Sequence, residues 1–577
     1  MSEERYKSFK DPVYGYIDIP STWASTIVDT PVFQRLRYIA QTSYAPLYPS
    51  ATHNRFVHSL GVYHLGSIVK REVENCSLPD LVRKKRADVS KLVCDRYLQI
   101  FLLACLLHDV GHAPFSHTGE DFYIEKSENG QSIKLHDRIA SLLCDKTFAR
   151  ERTKRPKPAA PHELMSIIVA LTQFPCRFKS NAERVFFARA IAGYPYDVKA
   201  GKNEDGISLS FLNCLVSLLN SSIVDVDRLD YLIRDASATG FKTVVVDYQR
   251  LLCGVRIRWI DAECRVVFTK RAVSVLENVV YAHDAERKWV QNHPAIGYEM
   301  SLLHKIFEEV NDKFGKKLRG RTLFCEAALG RNGIALSALG KNVRLRYLSD
   351  ADIVFLMKCL ESAEVERFFD RAKRFAPLWK SEAEFCGLFN EIDWDTSVGK
   401  GSLKCLQKVL EGLLKSMRLL NVTRLDYKSL KALKEEVGMA KRNCEQTRNK
   451  ADRILDRASI WAQKELFQKL VEVLRSFAND AALPFSFQLM NGKTFTSGFA
   501  KSDLSRLRIE LGIKGQTIDF GKITKTLDSR DGALPQTVYY LFCKKINGDK
   551  AELSRKLVEK LKGFVKDNRQ SIEKVFA

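Results

Sequence analysis

The stretch LLHDVGHAPFSH, Leu106–His117, follows the apolar run Leu98–Leu107 and places three histidines and an aspartate within twelve positions. Polar side chains at the end of a buried helix cost free energy unless hydrogen bonds or a metal ion satisfy them. A glycine and a proline then break the helix, so we expect His108 and Asp109 to lie at the rim of a cavity. The adjacent His-Asp pair therefore indicates either an ordinary hydrogen-bonded cluster or part of a metal site.

Two other stretches offer the further ligands that a mononuclear metal site needs. HNRFVHSLGV, His53–Val62, provides His58 at the start of a helix, and VDVDRLDYLIRD, Val224–Asp235, provides acidic residues within an apolar helical pattern. A divalent ion takes three or four ligands that converge from different helices. Asp227 and Asp230 lie one turn apart and share a helix face. For each residue taken singly, a salt bridge between helices remains the alternative explanation.

The size and composition predict a multidomain protein of a reducing compartment. The chain has 577 residues, too many for one core, and its formal net charge of +23 indicates a polyanionic partner such as nucleic acid or free nucleotides. Its 14 cysteines include no Cys-x-x-Cys pair, which argues against a zinc ribbon. The charged N-terminal sequence has no apolar signal core, and no apolar run reaches the ~20 residues of a membrane span. We therefore expect a cytoplasmic protein without membrane contact.

Helical periodicity dominates, and we predict a mainly α chain in three parts. Residues 1–375 form a helical domain with a small β-hairpin within Thr243–Phe268, residues 376–480 a helical connecting region, and residues 481–577 a small α+β module. The predicted helices are Asp95–Leu107, Pro161–Phe174, Phe211–Asp235, Ala272–Val290, Asp350–Phe369, Asn421–Leu474 and Ala551–Val575. The predicted strands of the last part are Pro484–Met490, Thr517–Leu527 and Thr537–Ile546, with a turn at MNGK, Met490–Lys493.

The order His58, His108-Asp109, Asp227 resembles the H…HD…D signature of the HD phosphohydrolase superfamily. Longer stretches resemble its deoxynucleoside triphosphate triphosphohydrolase, or dGTPase-like, branch. They are DPVYGYIDIP (Asp11–Pro20), DTPVFQRLRYIAQ (Asp29–Gln41), HNRFVHSLGV, LLHDVGHAPFSH, VDVDRLDYLIRD and YLSDADIVFLMK (Tyr347–Lys358). The resemblance extends over residues 6–380 and implies an HD-type helical fold there.

The resemblance also implies an activity and roles for individual residues. The family reaction converts a dNTP and water into a deoxynucleoside and inorganic triphosphate. The implied ligands of a divalent metal, for which mixed nitrogen and oxygen donors suit manganese, iron or magnesium, are His58, His108, Asp109 and Asp227. The implied acid, base and phosphate-facing groups are His112, His117, Glu120, His136 and Asp137. The implied phosphate-binding residues are Arg55, Arg228, Tyr231, Lys270 and Arg271, and the implied deoxyribose-binding residues are Gln41 and Asp235.

Partners and rival functions follow from the same resemblance and from the charge. Relatives form dimers, tetramers or hexamers, and many are activated by a nucleotide between subunits, so a homo-oligomer and an activating nucleotide are implied. Depletion of dNTPs in antiviral or antiphage defence is a hypothesis from the chemistry. A phosphodiesterase or nuclease acting on nucleic acid or cyclic nucleotides, and a non-enzymatic nucleic-acid-binding protein, remain open alternatives. Gly193-Tyr194-Pro195 matches a motif of the cyclic-dinucleotide branch, but its His-His-Glu element is missing, so we interpret these residues as a turn.

Overall fold

The computed structural model describes residues 5–42, 47–83, 91–123, 125–126, 132–145, 147–148, 150–151, 158–221, 224–241, 245–315, 323–390, 397–420, 422, 424–445, 451–493, 507–511, 516–524, 537–545 and 549–576. The chain groups by its contacts into two compact units. The first unit comprises Met1–Gln291, Ile306–Glu361 and Ser497–Ala533, and the second comprises Asn292–Lys305, Ser362–Thr496 and Leu534–Ala577. The sequence predicts three parts, with boundaries that differ from those of the two units. The predicted parts are residues 1–375, 376–480 and 481–577, and their independence as folding units stays a prediction.

The fold is mainly α, as predicted. The described α-helices of four or more residues are α1 Pro31–Gln34, α2 Arg55–Cys76, α3 Leu78–Arg83, α4 Lys91–Leu107, α5 His117–Glu120, α6 Leu135–Leu142, α7 Pro161–Gln173, α8 Asn181–Ala192, α9 Leu209–Leu219, α10 Val226–Thr239, α11 Tyr248–Leu252, α12 Val273–Glu286, α13 Pro294–Val310, α14 Glu326–Leu329, α15 Asp350–Lys358, α16 Ala363–Phe369, α17 Glu382–Asn390, α18 Ser397–Leu419, α19 Tyr427–Glu445, α20 Ala451–Asp480, α21 Phe520–Ile523 and α22 Lys550–Val575. The described strands are β1 Tyr6–Asp11, β2 Gly15–Pro20, β3 Glu125–Lys126, β4 Ser132–Ile133, β5 Val255–Ile260, β6 Glu263–Thr269, β7 Ile334–Ala335, β8 Arg344–Leu345, β9 Phe375–Pro377, β10 Gln488–Lys493, β11 Arg508–Glu510, β12 Thr517–Asp519 and β13 Thr537–Lys544.

The core of the first unit lies around helix α4, whose residues from Tyr97 to Leu107 are almost all buried. Helix α2 packs against α4 on one side and against α10 on another. Gly66 allows the first of these contacts, because a Cβ there would lie 2.7 Å from the Sγ of Cys105 on α4. Since α4 ends at Leu107, the His108-Asp109 pair follows its carboxyl end, as the sequence predicts.

Capping side chains fix where the two neighbouring helices begin. Asn54 accepts a hydrogen bond from the Val57 N–H at the start of α2, and Asp225 accepts one from the Arg228 N–H at the start of α10. The single helix predicted over Phe211–Asp235 is therefore wrong, because Asn220 ends α9 in an extended conformation before Asp225 begins α10. The predicted helix over Ala272–Val290 is confirmed as α12, which continues directly into a π-helix at Arg287–Gln291, whereas the predicted helix over Asp350–Phe369 is interrupted after Lys358.

The predicted hairpin is present as β5 and β6, and it belongs to a larger sheet of the order β12-β11-β6-β5. Strand β11 lies parallel to β6, and an ion pair of 3.2 Å between Arg258 and Glu510 accompanies that pairing. Of the alternating sequence TVVVDY, residues 243–244 lie outside the described residues, and residues 245–248 do not continue the hairpin, because Asp247 caps the short helix α11. Strand β12 is shorter than predicted, since α21 begins at Phe520.

The second unit combines a three-stranded sheet with long helices. The strand order is β10-β13-β9, and α20 packs against both α19 and α22. The predicted turn at MNGK is wrong, because Asn491 and Gly492 pair with Tyr539 and Val538 inside β10 and β13. The final predicted helix is confirmed as α22, whereas the long helix predicted over Asn421–Leu474 is described as α19 and α20. No helix among the described residues is long and apolar enough to cross a membrane.

Candidate metal centre

Four side chains from three parts of the first unit converge at the carboxyl end of α4. The Nε2 atoms of His58, on α2, and His108 lie 3.2 Å apart. The carboxylate of Asp227, on α10, lies 3.1 Å from the His58 Nε2 and 3.6 Å from the His108 Nε2. The carboxylate of Asp109 lies 3.6 Å and 3.5 Å from the same two nitrogens. Only Asp227 opens toward solvent, with 37% of its side chain exposed.

Hydrogen bonds behind the two histidines determine which ring nitrogen faces the centre. The Nδ1 of His108 lies 2.9 Å from the Cys105 carbonyl oxygen, which can only accept, so Nδ1 carries the proton. The Nδ1 of His58 donates in the same way to Asp230 at 2.7 Å. When both rings are neutral, the Nε2 atoms therefore present lone pairs to each other, an arrangement that repels unless a proton or a metal cation lies between them. This donor set, with its outer hydrogen bonds, fits a divalent metal ion.

The ionisation of the surrounding groups agrees with a site built for positive charge. Burial alone would lower the pKa of His58, but its hydrogen bonds to Asp227 and Asp230 raise the pKa to about 10. Burial likewise opposes the charge of Asp109, yet Arg55 and the two histidines hold the pKa of that carboxyl well below its usual range. Two ionised carboxylates therefore face two imidazole nitrogens, and a metal ion would supply the charge that a proton otherwise supplies.

A buried ion-pair network supports the His58 side of the centre. Arg234 donates from Nε to Asp230 at 2.9 Å and from a terminal nitrogen to Asp11 at 2.9 Å. Asp230 is fully buried, and its interaction with Arg234 and His58 lowers its pKa to about 2 although burial acts against this. Gly61 leaves the space for this network, since a Cβ there would lie 1.9 Å from an Asp230 oxygen. The carboxylate that orients His58 is thus itself fixed and ionised.

A second cluster contains three histidines, the first of which, His112, follows His108 by four residues. Glu120 accepts from the Nδ1 of His162 at 2.5 Å and from the Nδ1 of His117 at 3.0 Å. The ring of His112 stacks on that of His162 with a centroid distance of 4.4 Å. Both ring nitrogens of His112 are buried without a hydrogen-bond partner among the described residues, and burial lowers the pKa of His112 well below its usual value. Glu120 raises the pKa of His162 to about 9 against the effect of burial.

His162 occupies the position in this cluster that the sequence predicts for His136. His136 is buried elsewhere and bonds to the Tyr194 hydroxyl at 2.9 Å, and its neighbour Asp137 is exposed. The structure therefore does not bring His136 and Asp137 to the centre; it brings the pair His162-Glu163, at the start of α7. The sequence PHEL, residues 161–164, contains this His-Glu pair, and its position at a predicted helix start resembles that of His136-Asp137. Gly193 ends α8 with a φ of +65°, so the Gly-Tyr-Pro stretch is a turn, as predicted.

Comparison with known proteins agrees with this geometry. Residues 55–175 match the HD domain family. The chain carries an HD domain. The match spans His58, the His108-Asp109 pair and the second cluster, while Asp227 follows it in the sequence.

Several proteins are similar to this chain over about half of its length. An uncharacterized protein, MG461 of Mycoplasma genitalium, is 27% identical over 316 residues, which cover 53% of this chain and 62% of that protein. The deoxynucleoside triphosphate triphosphohydrolase SAMHD1 of Gallus gallus is 30% identical over 260 residues, which cover 44% of this chain and 37% of that protein. A solved hypothetical protein from Aquifex aeolicus aligns over 96% of this chain with 17% identity and a TM-score of 0.49. The chain spans less than two thirds of the curated relatives' own length.

The side chain of Arg55, the first residue of the HD domain match, lies beside the metal centre. It is buried, and its guanidinium donates to Asp109 at 2.7 Å, to the Ser116 hydroxyl at 3.0 Å and to the Gln41 carbonyl at 3.0 Å. The sequence predicts that Arg55 binds phosphate, which stays a prediction; in the structure its guanidinium pairs with a metal-site carboxylate. This pairing explains why Asp109 stays ionised despite complete burial.

The other predicted substrate residues fall into three groups. Arg228 lies beside Asp225 and Tyr231 on α10; burial lowers the pKa of its guanidinium, but these two neighbours raise it overall. Gln41 and Asp235 come together around His53, whose carbonyl accepts from the Gln41 N–H at 3.0 Å and whose Nε2 lies 2.6 Å from Asp235. Lys270 and Arg271 are exposed in the turn after β6, and no described hydrogen bond or ion pair links their side chains to the centre.

Proposed function

We propose that this protein is a metal-dependent dNTP triphosphohydrolase, which converts a dNTP and water into a deoxynucleoside and inorganic triphosphate. One observation carries the proposal: the segment from His108 to Glu120 supplies both the metal-site pair and a cluster of histidines held by a carboxylate. A metal centre alone serves many hydrolases. A neighbouring set of neutral and charged imidazoles suits a reaction on a polyphosphate, in which anionic oxygens must be bound and a poor leaving group protonated.

The metal would be held by His58, His108, Asp109 and Asp227. When bound, a divalent ion supplies Lewis acidity to a phosphate oxygen and lowers the pKa of a bound water. Manganese, iron and magnesium all suit a mixed nitrogen and oxygen set. The protein's own part is to keep both Nε2 lone pairs pointed inward, which the bonds from His58 to Asp230 and from His108 to Cys105 achieve.

His117 is the residue we assign as proton donor to the leaving 5′-oxygen. Its side chain is more than half exposed, and Glu120 holds its Nδ1, which leaves Nε2 to carry and release a proton. His162 remains charged up to about pH 9 beside the same carboxylate and would attract the triphosphate. Arg228, which interacts with Asp225 and Tyr231 on the same helix, and the neutral Tyr231 are our further candidates for phosphate binding. Gln41 and Asp235, brought together by His53, are our candidates for holding the deoxyribose.

Further parts of the proposal follow from the similarity to proteins named as dNTP triphosphohydrolases. We propose that the protein acts as a homo-oligomer activated by a nucleotide, in the cytoplasm, and that dNTP depletion in antiviral or antiphage defence is its biological use. The proposals of nucleotide activation and of dNTP depletion both require that the protein hydrolyses dNTPs.

A product assay tests the function. Manganese-supplemented protein is incubated with each dNTP alone and with all four together, and the products are separated. We expect deoxynucleoside and triphosphate, and none of either from the His108→Ala/Asp109→Ala double variant or after chelation. Activity only in the mixture would support activation by a nucleotide. Release of nucleotides from nucleic acid or from a cyclic dinucleotide would instead support an HD phosphodiesterase. Salt-dependent nucleic-acid binding without any hydrolysis would support a binding protein.

A further inference from the structure

Two residues directly before His117 adopt a backbone conformation that L-amino acids rarely adopt. Phe115 has a φ of 55° and Ser116 a φ of 53°. Such a conformation is strained for a residue with a side chain and persists only where the surroundings fix it. This strained turn places His117 at the first position of α5, opposite Glu120. Some feature of the first unit must therefore hold the turn in place.

The carboxylate of Asp350, the first residue of α15, makes that contact. Its Oδ1 accepts a hydrogen bond from the Phe115 N–H at 2.7 Å. Its Oδ2 accepts one from the Ala40 N–H at 2.8 Å. Ala40 precedes Gln41, and Phe115 lies two residues before His117. One carboxylate thus joins the two segments that present the proposed sugar-binding and proton-donating side chains.

Asp350 is free for this contact because another residue caps its helix. Asp352 accepts from the Ser349 N–H at 2.8 Å and from the Ser349 hydroxyl at 2.7 Å, which completes the capping of α15. An aspartate at the first position of a helix ordinarily serves the helix itself. Here its two oxygens accept instead from the backbone N–H groups of Ala40 and Phe115.

Other bonds reinforce the same junction. The Ser116 hydroxyl donates to the Ala40 carbonyl and accepts from Arg55. Arg35 donates to the Leu348 carbonyl and to the Val110 carbonyl, both at 2.9 Å, which ties the start of α15 to the loop after α4. Asp350 is the member that satisfies two backbone donors at once, so no single substitute with one acceptor can take its place.

We propose that Asp350 is a positioning residue, which holds the Ala40–Gln41 and Phe115–His117 segments together and so sets the places of Gln41 and His117. Its effect on turnover rests on the proposed function, whereas its effect on the two segments does not. An asparagine at this position has one acceptor for two N–H donors and turns an amide N–H toward one of them. The motif YLSDADIVFLMK thereby gains a role that its sequence alone does not specify.

The test compares Asp350→Asn and Asp350→Ala with Asp352→Asn, a matched control two residues along the same helix. Amide exchange by mass spectrometry, with fragmentation to single residues, reports on the Ala40 and Phe115 N–H groups. We expect both to exchange at least 10-fold faster in the Asp350 variants and to be unchanged in Asp352→Asn. In dNTP hydrolysis we expect kcat to fall about 100-fold in Asp350→Ala, as for a misplacement of about 1 Å. Bound manganese is expected to stay at the wild-type level.

The two readouts separate failure of this inference from failure of the proposed function. Unchanged exchange at Ala40 and Phe115 in both variants, or equal effects of Asp352→Asn, would overturn the role of Asp350. Faster exchange in a protein that hydrolyses no dNTP would uphold that role and reject the proposed activity. If Asp350→Ala does not fold, Asp350→Asn and Ser116→Ala decide the question, because each removes part of the same junction while leaving its polar surroundings.

Discussion

His58 and Asp230 are joined by a hydrogen bond of 2.7 Å from Nδ1 to a carboxylate oxygen. This bond leaves the Nε2 of His58 as a lone-pair donor at the metal centre. Outer partners of this kind typically change metal affinity by 10–100-fold when they are removed. We therefore expect Asp230→Asn to weaken manganese binding about 10- to 100-fold, measured by equilibrium dialysis with elemental analysis. Asp205→Asn is the control, because Asp205 accepts from the Tyr97 hydroxyl at the same 2.7 Å. Equal affinities of the two variants would contradict the prediction.

Gly61 provides the space that Asp230 needs. In Gly61→Ala the added Cβ would meet an Asp230 oxygen at 1.9 Å and an Arg234 nitrogen at 2.4 Å. Forced overpacking of this kind costs ~1–3 kcal/mol, so we expect faster amide exchange in α2 and weaker manganese binding. The helical Gly563 has open space around it, and Gly563→Ala should stabilise α22 by ~1 kcal/mol. Opposite signs for the two glycines are the expected result, and stabilisation by both would refute it.

The buried ion pair between Arg55 and Asp109 contributes to the stability of the folded protein. Removing one partner of a buried ion pair costs ~3–5 kcal/mol, because the other charge stays buried without compensation. We expect Arg55→Ala to lower the unfolding free energy of the metal-free first unit by about that much. Arg256→Ala, which breaks a more exposed ion pair with Glu72, should cost at most ~1 kcal/mol. Similar stabilities of the two variants would show that Asp109 does not depend on Arg55.

The bond between Glu120 and His162 makes stability depend on pH. The pKa of His162 rises from 6.5 to about 9, so its contribution is fully present below pH 6.5 and is lost as the pH rises through about 9. The pKa of Glu120 is lowered by the same partner although burial opposes this, so its contribution is present above pH 4.5 and is lost in acid. The His162 shift corresponds to about 3 kcal/mol.

Glu120→Gln is therefore expected to destabilise the protein most between pH 4.5 and pH 6.5, with a difference that shrinks toward pH 9.5. Urea unfolding at pH 5.5, 7.5 and 9.5, followed through exchange of the α7 amides, measures it. A difference that does not change with pH would mean that the carboxylate does not hold the charge of His162.

Replacement of His162 and replacement of His136 are expected to affect different properties, the first kcat and the second thermal stability. His162 belongs to the second cluster, and loss of a group that assists proton transfer or charge costs about 10²–10⁴-fold in rate. We expect His162→Ala to lower kcat within that range with little change in thermal stability. His136→Ala should lower the melting temperature, because the buried Tyr194 hydroxyl loses a partner, while kcat changes only a few-fold. Steady-state kinetics and calorimetry of the two variants decide the assignment.

The resemblance of the sequence to HD phosphohydrolases predicts the four side chains that the structure brings together, and their role as metal ligands stays a prediction. The apolar run before His108 and the spacing of Asp227 and Asp230 are local features that the structure keeps, whereas the Asp225 cap, which separates α9 from α10, was not predicted. The choice between His136 and His162 is not local, because both precede an acidic residue at the start of a helix. Only the packing of α7 against α5 places one of them beside Glu120.

Tertiary pairing accounts for the other differences. Asn491 and Gly492 favour a turn by themselves, but pairing with β13 places them inside a strand. Arg55 carries the charge expected of a phosphate ligand, and its buried ion pair with Asp109 adds a contact that the sequence did not predict. Neither outcome can be read from spacing, since both depend on residues distant in the chain.

Strand β11 carries a consequence for synthesis of the protein. Its parallel pairing with β6 means that a piece of the first unit is encoded after most of the second unit. While the ribosome translates the residues between Glu361 and Arg508, one edge of β6 lacks its final partner and offers unpaired backbone groups to other chains. At ~5–20 residues per second this interval lasts on the order of ten seconds or more. The nascent first unit thus has to remain protected at that edge until β11 emerges.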